Sequence, residues 1–63
     1  MDKIEMKIRY RFVKDEVPRL EDLIEKIDKV GGTAAMIMNE TLNDLVKKYK
    51  AEAIELERRL YER

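Results

Sequence analysis

Apolar and polar residues alternate strictly from Ile4 to Phe12. Ile4, Met6, Ile8, Tyr10 and Phe12 fall on even positions, and Glu5, Lys7, Arg9 and Arg11 on odd ones. A period of two is that of a β-strand with one buried face, and β-branched and aromatic side chains suit such a face. The pattern then changes. Val13-Lys14-Asp15-Glu16 reads as a short turn with Asp15 as a helix N-cap. Val17, Leu20, Leu23, Ile24, Ile27 and Val30 then mark one face of an amphipathic helix. Pro18 belongs to its first turn, where a missing N–H costs little. Gly31-Gly32 ends that helix, and Thr33 is read as the N-cap of the next. Met38, Leu42, Leu45, Val46, Tyr49, Ala53, Leu56 and Leu60 carry a second amphipathic rhythm with no Gly or Pro after Gly32. The predicted elements of a single domain, 1–63, are a strand at 4–12, a helix at 16–30 and a helix at 34–62.

A lone strand leaves its backbone N–H and C=O groups without partners. The same strand of a second copy is the nearest remedy, so the pattern predicts a homodimer. Its core is expected to contain Ile8, Tyr10, Phe12, Leu42, Leu45, Val46 and Tyr49, and Ile8→Lys is expected to abolish the dimer by burying a charge. The second helix outruns a short partner helix. Its end, 51–63, is therefore expected to touch another subunit, which would make a tetramer, or to project into solvent.

Composition narrows the chemistry. The chain has 63 residues and neither Cys nor His, which removes disulfides, Cys or His metal sites and the familiar Cys–His and Ser–His–Asp constellations. Nothing in the sequence suggests an enzyme, a cofactor or a metal. The longest apolar run, 34–38, is far too short to span a membrane, and no signal-peptide core is present, so a cytoplasmic location is the default.

Formal charge is zero but unevenly spread. Residues 1–14 carry five bases against Asp2 and Glu5, whereas residues 15–30 carry three bases against six acids. Glu21, Asp22, Glu25 and Asp28 read as a solvated helix face interleaved with Lys26 and Lys29. Met36, Ile37 and Met38 read as core packing near the dimer axis. Gly31-Gly32-Thr33 lacks the lysine and preceding strand of a phosphate-binding loop, and the tail reads as an ordinary helix laced by i,i+4 ion pairs.

A short amphipathic strand followed by two helices parted by a glycine turn resembles the ribbon-helix-helix family of Arc- and MetJ-type repressors. The likeness covers roughly residues 4–50 and is densest from Gly31 to Leu42, continuing through Leu45, Val46 and Tyr49. The resemblance implies a mostly α fold with one N-terminal β-strand, an intertwined homodimer whose two strands form an antiparallel ribbon in the DNA major groove. It implies base contacts from Lys7, Arg9 and Arg11, phosphate contacts from Gly32, Thr33 and Ala34 at a helix N-terminus, and a role as a transcriptional repressor or antitoxin-like regulator of double-stranded DNA. From a different class comes a homo-oligomeric protein-interaction or assembly module without DNA binding. Zero net charge and the acidic first helix favour it, and a protein partner fits it as well. Uniform Lys and Glu content without Cys, His or Trp also suits a sequence engineered on this fold.

Overall fold

The computed structural model describes residues 2–62; Met1 and Arg63, the ends of the 1–63 domain, lie outside them. Two helices make up almost all of it, α1 over Lys3–Val30 and α2 over Gly32–Tyr61. Among the described residues there is no strand. The segment 4–12 is the start of α1, and this overturns the expected β-ribbon, the intertwined dimer built on it and the ribbon-helix-helix resemblance.

The physical reason lies in which periodicity the segment shares with its neighbours. Met6 and Tyr10 are four residues apart, and Val13, Val17, Leu20, Ile24 and Ile27 continue at alternating steps of three and four. Every one of these seven is buried or half-buried. The alternate apolar residues Ile4, Ile8 and Phe12 lie on another face and remain exposed. A row of even-numbered apolar residues is thus two helical faces superposed. A helix also satisfies its own backbone groups, so no partner strand is required. The N-terminal cap agrees: Asp2 accepts a hydrogen bond from the Glu5 amide at 2.8 Å, in a sequence, Asp2-Lys3-Ile4-Glu5, with the spacing of a capping box. Asp15, read above as an N-cap, lies inside α1, as does Pro18.

On α2 the matching row is Ala35, Asn39, Leu42, Val46, Tyr49, Ala53, Leu56 and Leu60, again at steps of four and three and again buried or half-buried throughout. Two such rows zipped together make a two-helix antiparallel coiled coil. The direction follows from the pairs that meet: Tyr10 with Tyr61, Arg9 with Glu52, Glu21 with Lys50, and Asp28 with Asn39. The hairpin measures 47 × 16 × 14 Å. The tail of α2, expected to need another subunit, is covered by the start of α1, with Leu56 and Leu60 buried and the Tyr61 ring 6.2 Å from that of Tyr10.

Reversal of the chain takes one residue outside the helices. Gly31 (φ 75°) and Gly32 (φ 88°) both occupy backbone conformations that side chains disfavour. Nothing lies within 4 Å of a Cβ at either site, so backbone preference and not crowding selects glycine there. The Gly31 amide donates to the Ile27 carbonyl at 3.3 Å, closing α1. Thr33 does not cap α2, whose start has no side-chain cap bond.

Candidate functional site

Beside the core row each helix has two flanks, and the flanks differ in chemistry. On one side lie Lys7, Lys14, Glu21 and Asp28 of α1 against Asn43, Lys50 and Glu57 of α2, a polar seam in which Lys50 Nζ reaches Glu21 at 3.3 Å. On the other lie Arg9, Glu16, Leu23 and Val30 against Met38, Leu45, Glu52 and Arg59. This second flank is the less polar one near the turn. There Leu23, Ile27, Ile37, Met38, Thr41 and Leu42 line an open groove of about 520 Å³. Toward the open end the same side presents Ile8, 66 % exposed, and Phe12, 44 % exposed, around a second depression of about 310 Å³.

At the second of these patches the flank is pinned by charge. Arg9 donates from Nε and Nη2 to the two carboxylate oxygens of Glu52 at 2.5 and 2.9 Å, a bidentate clasp between the helices. Its guanidinium lies 5.2 Å from the Phe12 ring centroid and 5.5 Å from that of Tyr49, whose rings meet edge to face at 5.9 Å. The hydrogen bonds from Arg9 hold the Glu52 carboxyl below the usual carboxylate range, with burial opposing and the Arg9 charge reinforcing the shift. A depressed folded-state pKa means the stabilisation is complete above the unfolded carboxyl's pKa, roughly 4.3, and is lost as pH falls through the lower folded value. Glu52→Gln is therefore expected to lower thermal stability at neutral pH, and to shrink the further loss between neutral and acid pH. Melting curves by circular dichroism at the two pH values check this, and an unchanged acid loss refutes it. Glu55, lowered likewise by Arg58 and then Arg59, keeps part of the acid sensitivity in both proteins.

The residues expected to read DNA do not form one row. Lys7 and Arg11 are exposed on the side facing away from the clasp, and Arg9 is occupied by Glu52. With Lys14, whose Nζ sits 5.2 Å from the Tyr10 ring, Lys7 and Arg11 border a depression beside Tyr10 and Tyr61. Among the described residues there is no ribbon to carry these side chains into a groove, so the fold no longer supports the DNA-reading role that the resemblance implies. Gly32, Thr33 and Ala34 form the exposed first turn of α2. Of the expected dimer core, Val46 is buried and Tyr10, Leu42, Leu45 and Tyr49 are half-buried within a single hairpin, whereas Ile8 and Phe12 face outward. Met36, Ile37 and Met38, expected in the core, are 74 %, 61 % and 53 % exposed.

No protein family, curated protein or solved structure matches the chain.

Two features went unread in the sequence. Asn39 occupies a core position, and it is buried. Its Nδ2 donates to the Ile24 carbonyl at 3.1 Å and to Asp28 Oδ1 at 2.6 Å, while its Oδ1 has no partner among the described residues. A polar side chain at one core position fixes the register of a coiled coil at some cost in stability. The signal was present, since Asn39 stands four residues after Ala35 and three before Leu42. The Arg9–Glu52 clasp had no such signal, because its partners are 43 residues apart and meet only once both helices are placed. Among the described residues no group of acids could hold a metal ion, and no helix is long and apolar enough to cross a membrane. The acidic face of α1 is partly neutralised, with Lys26 on Asp22 at 2.9 Å and Lys50 on Glu21.

Proposed function

We propose that this chain is a homo-oligomeric assembly module without a DNA role, whose working surface is the apolar flank of the hairpin. The observation that carries the reading is an imbalance. Val13 is the sole side chain among the described residues under 2 % exposed, while Leu23, Ile37, Met38, Ile8 and Phe12 stay in the open on one side. Two helices supply little core, and chains this small usually gain stability by associating. Exposed apolar patches rimmed by charge are surfaces by which such association proceeds. Two hairpins together supply the four helices of a closed bundle.

Sedimentation equilibrium over a wide concentration range tests the proposal. The protein is expected to reach at least twice the chain mass, and the double variant Leu23→Lys, Met38→Lys to remain a monomer with helical circular dichroism. A parent protein that stays monomeric at its highest concentration overturns the reading.

A further inference from the structure

Within that reading, we infer that the occupant of the groove between Leu23 and Met38 is Phe12 of a second copy, so that two hairpins pack flank to flank with their turns at opposite ends.

The two apolar patches lie on the same side of the hairpin at different heights. The groove at Leu23, Ile27 and Met38 adjoins the turn, and the ridge formed by Phe12 and Ile8 lies toward the open end. Phe12 and Leu23 are eleven residues apart on one helix, about 16 Å at 1.5 Å per residue. A two-fold axis passing beside this flank of α1, level with residues 17–18, sets α1 antiparallel to its copy. That operation brings the ridge of each hairpin to the groove of the other, and a two-fold contact satisfies both at once. Phe12 and Leu23 occupy heptad positions that face one another in an antiparallel helix pair, as core positions do within the hairpin. Where the axis passes, the facing residues are Glu16 and Arg19, which pair at 3.0 Å within one chain. Across the axis each Glu16 then faces the copy's Arg19, and the same operation sets Arg9, held by Glu52, opposite the copy's Lys26, held by Asp22.

Charge selects the same orientation. Residues 17–46, the half nearest the turn, carry three bases against six acids, and the rest of the sequence carries eleven against eight. The described hairpin is therefore acidic at its turn and basic toward its open end. Packing two copies with both turns at one end stacks like charge on like charge. The reversed packing lays the acidic half of each against the basic half of the other, which fixes orientation and speeds encounter. This antiparallel choice is therefore favoured twice, by shape and by charge.

The parent chain has no cysteine, so introduced thiols report without background. Phe12→Cys and Leu23→Cys, both at exposed positions, are prepared separately, mixed, and treated with a short bis-maleimide. Mass spectrometry then distinguishes mixed from like-with-like products. The expected result is a dominant Phe12→Cys/Leu23→Cys product at low salt, with neither variant cross-linking efficiently to itself. A dimer by sedimentation that yields no mixed product, or mainly like-with-like products, overturns this arrangement and leaves self-association standing. Monomers by sedimentation overturn both.

Discussion

Val13→Asp is expected to unfold the hairpin at neutral pH. Val13 sits on the core row of α1 with no exposed surface, and a carboxylate there has neither solvent nor a cation to replace lost hydration. Burying an unpaired charge costs several kcal/mol or forces protonation, against a total stability of about 5 kcal/mol for a domain of this size. The milder Val13→Ala is expected to cost about 2 kcal/mol through lost contacts and a residual cavity. Ile8→Lys, by contrast, leaves the helices formed, because Ile8 is two-thirds exposed and a lysine there meets water. The pair of variants separates two architectures. If residues 4–12 were a buried ribbon strand, Ile8→Lys would be the destructive change and Val13, in a turn, would tolerate aspartate. Far-ultraviolet circular dichroism and a urea titration of both variants decide between them; a folded Val13→Asp with an unfolded Ile8→Lys would restore the strand.

That contrast marks where sequence reading failed. Read alone, the nine residues 4–12 are well described by a period of two. The helical period appears only when Met6 and Tyr10 are joined to Val13, Val17 and Leu20, across the segment 13–16 that reads locally as a turn. Two local signals also pulled toward a break there. Asp15 resembles a cap, and Pro18 suits a first turn better than an interior. The counter-signal is the capping-box spacing of Asp2 and Glu5, which marks a helix start thirteen residues before residue 16. The second helix was more legible, since an uninterrupted three-four rhythm and a glycine pair bound it without competition. The apolar flank was visible as residues but misassigned. Phe12, Met38 and Leu23 are equally consistent with a core or a surface until the core row is known, because helix faces are allotted by what packs against them. The Arg9–Glu52 clasp depends on the hairpin register, and in one dimension nothing links those positions.

Pro18→Ala is expected to stabilise the protein, by about 3 kcal/mol if α1 keeps its present course. Proline in a helix interior has no N–H to donate to the carbonyl four residues earlier, here Lys14, and its ring crowds that carbonyl. It also disfavours helical geometry at Val17, the residue before it. All of this falls in the middle of a helix of 28 residues whose core row continues on both sides. Pro18 is exposed, so exchanging it for alanine removes no core packing. Part of the gain is offset because alanine leaves the unfolded chain more freedom than proline does. For a domain of this length each kcal/mol shifts the melting temperature by roughly 4–8 °C, so the effect is measurable by any thermal probe. Urea titration should show a higher midpoint with an unchanged slope, since the surface exposed on unfolding is the same. A destabilised Pro18→Ala would mean that proline's local restriction of the backbone is needed for the two core rows to stay in register over their full length. Since Pro18 also lies level with the midpoint between Phe12 and Leu23, such a result would place that restriction where two hairpins meet.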